Sequence, residues 1–308
     1  MKQLTAFILL LITGVHLTAQ RGDSSVTVGK KIITLSEVIV NNKLNVAKFI
    51  ERIQNDTSFY KAFRNLHILQ FSAINDIRMN NPSGEMKAYL HSKTKQVRTN
   101  TGCRKMETLE EQANGDIYDD DHNFNYYTAE MYAALFFTKD SVCGETNIVK
   151  GIEFNTSGKS GINKHKEQLK MLFFNPGKKI SGIPFISSKT AIFDDELADK
   201  YDMSIDIDIH NNTSCYIFKQ KVKPENKDDV VVDEMTTWFD DKTYEVLARN
   251  YTLSYDAGVY DFKIQMEVQL TKFGEYLVPS LIRYNGNWKV IFKKRERGVF
   301  TATLFDFK

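Results

Sequence analysis

Asp119, Asp121, Asn123 and Glu130 stand at positions one, three, five and twelve of a stretch that opens Asp119-Asp120-Asp121-His122-Asn123-Phe124-Asn125. Oxygen ligands at that spacing suit Ca²⁺, as in an EF-hand loop. The sixth position of such a loop needs glycine for its sharp turn, and here it is Phe124. An acidic loop capping a helix at Thr128, with Glu130 near the positive end of the dipole, explains the same letters. Asp206, Asp208 and His210 form a second set on one face of a strand. Alternate strand residues lie roughly 6.6 Å apart, too far for all three to grip one ion. That spacing does suit the carboxylate pair of a glycosidase, the competing reading being a strand face kept soluble by charge. Gly158-Lys159-Ser160 has the closing letters of a phosphate-binding loop, but Glu153 stands where its first glycine belongs. The chain has no Gly-x-Ser-x-Gly, His-Glu-x-x-His, Cys-x-x-Cys or dinucleotide fingerprint. No catalytic residue and no cofactor is therefore assigned.

Three cysteines are present, Cys103, Cys143 and Cys215. In an oxidising compartment an odd count leaves one thiol over. Cys103 and Cys143 each adjoin a glycine in a turn-like stretch, which favours that pair; three unpaired, partly buried thiols are the competing outcome. The loop it closes would contribute about 4 kcal/mol in the chain-entropy model. The run Lys293-Lys294-Arg295-Glu296-Arg297 reads either as a contact for anionic headgroups or as the wet end of a strand.

Those residues must be held by a folded, exported chain. Lys2, the apolar run Ala6–Ile12 and the small-residue site Leu17-Thr18-Ala19-Gln20 have the order of a secretory signal, with the cut after Ala19. The apolar run is too short to span a bilayer. No cysteine adjoins the cut, so the lipoprotein acylation signature is missing, and no later stretch reads as a transmembrane helix. The expected location is the periplasm or outside the cell. Charged residues at 26% and hydrophobic ones at 42% describe a globular chain, and a net charge of +2 argues against a nucleic-acid partner.

Period-two alternation dominates the chain after the leader. Strands are expected at Ile32–Val40, in a hairpin over Leu69–Leu90 turning at Asn80–Gly84, and at Tyr201–Ile209 with a return through Cys215 and Phe218. Asn45 is placed to cap a helix reaching Gln54 with Val46, Phe49, Ile50 and Ile53 on one face. Further helices are expected at Thr128–Phe137, after an acidic loop at Asn114–Asn125, and at Ile162–Phe173, stopped by Asn175-Pro176-Gly177. The charged stretch Lys223–Asp229 is the best internal boundary of a single β-rich domain over 20–308. From Val230 a run of strands is expected, with connectors that include Asn285-Gly286 and Arg297-Gly298. In one of them Tyr260, Phe262, Ile264, Met266, Val268 and Leu270 face one way, and Asp261, Lys263, Gln265 and Glu267 the other. One face is then buried and one wet, and strands this long curl around whatever fills their concave side.

The segment Met235–Val246 (MTTWFDDKTYEV), followed by long strands and the closing Thr303–Phe307, resembles the outer-membrane lipoprotein-sorting (LolA/LolB-like) superfamily. The leader and Leu35–Val40 also resemble secreted proteins of the Bacteroidota. The resemblance covers about the last quarter of the chain. The middle, Cys103 to Lys200, has no counterpart, and no ligand-contacting residue carries over by motif. The resemblance implies an unclosed antiparallel half-barrel whose concave space holds acyl chains or another apolar ligand. The fold expected is thus α+β, a large curled antiparallel sheet with two or three helices on its concave face. The function expected is a non-enzymatic carrier or sensor of lipid, or of a lipid-modified partner. The alternatives are an envelope assembly factor that binds proteins and a hydrolase using Asp206 and Asp208. Oligomeric state is left open.

Overall fold

The computed structural model describes residues 24–41, 44–149, 171–180, 186–256, 260–290 and 294–308. The leader at 1–19, residues 162–170 of the expected second middle helix and the Gly158-Lys159-Ser160 stretch lie outside them.

Alternating apolar and polar residues draw most of the chain into one sheet. A short hairpin, β1 (Ser24–Val28) and β2 (Lys31–Leu35), precedes a meander of β3 (Phe71–Asn80), β4 (Met86–Arg98) and β5 (Arg104–Gly115). The later strands are β6 (Tyr201–His210), β7 (Thr213–Val222), β8 (Val232–Asp240), β9 (Val246–Asp256), β10 (Tyr260–Phe273), β11 (Tyr276–Val290) and β12 (Glu296–Phe305). They join into a single twelve-stranded sheet in the order β1-β2-β6-β7-β8-β9-β10-β11-β12-β3-β4-β5. The sheet is open and curled, with β1 and β5 as its edges. Every neighbouring pair is antiparallel except β2 and β6. Along β10, Phe262, Ile264, Met266 and Val268 are buried while Lys263, Gln265 and Glu267 are exposed. Leu270 is half-buried, and the side chain of Tyr260 lies outside the described set.

The helices are α1 (Glu37–Asn41), α2 (Val46–Asn55), α3 (Ser58–Asn65) and α4 (Tyr127–Phe136), with residues 171–174 also helical. In α2 the Asn45 side chain accepts from the Lys48 amide, and Val46, Phe49, Ile50 and Ile53 are the buried residues. Such a cap is worth about 1 kcal/mol, and each buried apolar side chain about 1.5–3 kcal/mol. Phe49 delivers that face to the sheet, with its ring 5.4 Å from Phe239 and 5.5 Å from Tyr216. Among the described residues no helix is long and apolar enough to cross a membrane.

Three local expectations need correction. The strand expected at Ile32–Val40 stops at Leu35 and becomes α1, because Ser36 N bonds to Ile205 O and only Ile39 of the Val38-Ile39-Val40 run turns inward. Asn285-Gly286 is no turn. It lies inside β11, paired with Gln265 and Ile264 on β10, and neither residue has positive φ. Arg297-Gly298 likewise lies inside β12, with Gly298 facing Gly286 across the ladder. Helix α3 and strand β5 carry no expectation at all. The Lys223–Asp229 stretch forms a 3-10 helix, Pro224–Asp229, linking β7 to its sheet neighbour β8.

Candidate functional site

The concave face of the sheet is lined mostly by apolar side chains, and α4 packs against β12 among its later strands. Helix α4 is seated at its start and its middle. At its start the Glu296 carboxylate of β12 accepts from Tyr127 N at 3.0 Å, Thr128 N at 2.8 Å and Thr128 Oγ1 at 2.5 Å. An anion there satisfies unpaired amides and complements the helix dipole. At mid-helix the buried Tyr132 hydroxyl donates to Asn75 Oδ1 at 3.1 Å, and Asn75 donates to Thr94 Oγ1 at 3.2 Å.

Beyond the end of α4, the chain is tied to the start of β5. Cys103 and Cys143 form a disulfide, and Arg104 and Val142 pair through their backbones. Arg104 Nε donates to Glu145 Oε2 at 2.5 Å, and Nη1 reaches Thr138 and Gln96. His67 Nδ1 lies 2.9 Å from Glu145 Oε1. Burial pushes the Glu145 carboxyl up, but the hydrogen bonds from His67 and Arg104 outweigh it and hold the group at about 2. Burial pulls His67 down, against the opposing pull of Glu145.

Between helix and floor is a small void. Met131, Tyr132, Leu135, Phe136 and Phe173 cover it, and Met266, Ile282, Tyr284 and Phe300 form its base. The free space is about 10 Å³, room for roughly one water. The Tyr284 and Phe300 rings stack at 4.8 Å, and each leans along its strand over a glycine, Gly286 and Gly298. A Cβ on Gly286 would overlap the Tyr284 ring, and one on Gly298 would come within 3.0 Å of Phe300. Trp288 Nε1 donates to Tyr284 Oη at 2.6 Å, fixing that ring.

A different environment occupies the part of the floor under α2 and α3. Arg249, buried on β9, donates from Nε to Thr237 Oγ1 and packs its guanidinium 4.4 Å from the Phe59 ring centre. Burial pulls its pKa down, countered by the through-space field of Asp56. Lys178 donates to Gln54 O, and burial, helped by the Arg249 charge, lowers its ammonium to about 8.

The other sequence candidates are not gathered into a site. Asp119 Oδ1 accepts from Asp121 N at 3.0 Å and Asn123 N at 2.7 Å, so this carboxylate closes its own loop, while Glu130 lies in the first turn of α4. Among the described residues no three His, Cys, Asp or Glu side chains are placed to hold a metal ion. Asp206 and Asp208 accept from the amides of Ile207 and Ile209, and the His210 ring packs on Trp238, with centroids 5.5 Å apart. Arg295 pairs with Asp261, and Glu296 is taken by α4. Sequence reading missed Arg249 and the polar seat of α4. The signal for Arg249 was its register, a charge on the same strand face as Tyr251 and Leu253.

No family model matches the chain, and no curated protein matches it. Several solved structures resemble it, among them these two. One, from Vibrio parahaemolyticus, is named for an outer membrane lipoprotein-sorting protein domain. It shares 10% identity at a TM-score of 0.28, over 86% of this chain and 93% of that one. The other is a DUF1329 family protein from Desulfovibrio piger, with 13% identity and a TM-score of 0.25 over 82% and 93% of the two chains. At these scores the likeness says nothing of ligand or partner.

Proposed function

We propose that this chain is a non-enzymatic carrier or sensor of an apolar ligand, a lipid or a lipid-modified partner, working in the cell envelope. The observation that carries the reading is the placement of α4. It covers an apolar void on the concave face, yet it is held there by polar contacts at Glu296 and Asn75. Polar latches over an apolar floor suit a helix that lifts, because water can satisfy the latches once they open while the floor needs another apolar cover. The void is far smaller than the few hundred Å³ of an occupied ligand pocket, so on this reading α4 is closed over the floor. Native mass spectrometry of the protein extracted from its own cells tests this. Co-purifying lipid is the expected result. A bare chain that also takes up no lipid from vesicles overturns the reading.

A second reading, an assembly factor that binds proteins, is favoured by one observation. Ile32 on β2 and Val38 and Val40 on α1, which follows β2 directly in the chain, are exposed at 65%, 51% and 44%. Apolar side chains grouped on a surface mark contact sites more often than singly scattered ones do. The bare-chain outcome above would leave this reading standing.

A further inference from the structure

The interior holds a guanidinium that no carboxylate among the described residues touches. Arg249 is 4% exposed, and its one hydrogen bond among them is to the Thr237 hydroxyl. Asp56 acts on it only through space, and its Oδ1 accepts from Ser58 N instead. Gln220, inward-facing on β7 and wholly buried, has neither amide atom hydrogen-bonded. Burying a guanidinium without an anion, and an amide without partners, is costly unless something else supplies the acceptors. A guanidinium offers a planar fork of donors that matches an oxyanion in two-point contact.

The ladder shows what lies beside that fork. Arg249 pairs with Val268, Val268 with Ile282, Ile282 with Ala302, and Ala302 with Asn75. Strands spaced about 4.8 Å apart make this a row of roughly 19 Å along the sheet. Its two ends are polar and its three middle members are apolar. Ile282, at the centre, is part of the base of the void under α4. A charged end, then an apolar track, then a removable cover is the shape of a site for an amphiphile.

We propose that Arg249 binds the oxyanion headgroup of a single-chain amphiphile whose tail runs over Val268, Ile282 and Ala302 beneath α4. This rests on the carrier reading and narrows its ligand to an acidic lipid. Lys178, whose ammonium feels the Arg249 charge, adds a second cation to the same interior.

The test titrates the lipid-stripped protein with oleate, oleyl phosphate and oleyl alcohol, which share one tail and differ in headgroup. Trp288, 2% exposed and 4.8 Å from the Phe262 ring, reports by fluorescence, and native mass spectrometry counts bound molecules. An anionic headgroup is expected to bind about tenfold tighter or more than the alcohol, as a charge-assisted contact implies. Whichever of oleate and oleyl phosphate binds tighter tells carboxylate from phosphate. Arg249→Met should erase the preference and raise the melting temperature of the ligand-free protein, since an unpaired buried charge is removed. Equal binding of all three probes to the unaltered protein overturns the headgroup site and leaves the carrier reading intact. Binding of none overturns both. The comparison on unaltered protein needs no variant, so a misfolded Arg249→Met does not rescue the proposal.

Discussion

At the scale of the residue, the paired glycines under the Tyr284 and Phe300 rings decide a local fold. Asn-Gly between apolar alternations is the strongest short hairpin signal because both turn residues must accept positive φ. Here the pair stays extended, because Gly286 is needed for the room it leaves above the backbone, where an aromatic ring from the same strand lies down. Gly286→Val is expected to destabilise the protein by about 1–3 kcal/mol, as overpacking does, with an unchanged slope in a urea unfolding curve. A neutral result would mean the rings move aside freely. The same scale shows what the sequence concealed. Arg249 and Gln220 sit in the inward register of strands that were readable as strands, but a charge in an inward slot signals a site only once its partners are known to be missing.

Elements were legible in proportion to how one-sided their burial is. Helix α2 buries one clean stripe, and strand β10 buries every second residue, so each showed its period. Strand β5 is exposed along nearly its whole length, so no alternation marks it, and α3 is short and opens without a side-chain cap. Helix α4 was readable as a helix, whereas its seat depends on Glu296, 169 residues away from Tyr127. Glu296→Ala removes the acceptor for two amides and a hydroxyl at the start of α4. The expected cost is about 1–2 kcal/mol, with amide hydrogen exchange rising across Tyr127–Phe136 more than across β11. If the carrier reading holds, the same variant takes up lipid from vesicles faster. Uniform exchange across both elements would show that α4 has no stability of its own to lose.

For the molecule as a whole, the curled single sheet follows from the alternation in its strands, and its strand order does not. The corner where the disulfide meets Arg104, Glu145 and His67 sets its response to acid. Glu145 titrates at about 2 when folded and near 4.5 when unfolded, so its stabilisation is complete above that higher value and is lost as pH falls toward the lower. His67 is lowered from 6.5, so the folded state resists its protonation, and stability falls as pH drops below that value. Both signs agree: acid loosens the corner. Glu145→Gln should flatten the fall in melting temperature between about pH 4.5 and 2 relative to the unaltered protein. Parallel curves for the two would exclude this carboxylate as a contributor.

The place of β12 in the strand order has one more consequence. β11 and β3 are joined only through it, although β3 is made more than two hundred residues earlier. A ribosome releasing this chain therefore yields the β3–β4–β5 meander as a half-sheet with a bare edge, which must wait for the final strand to stitch it to the rest. Contacts so distant in sequence form slowly. A premature stop before Glu296 would leave two incomplete sheets, each offering a raw margin for mispairing.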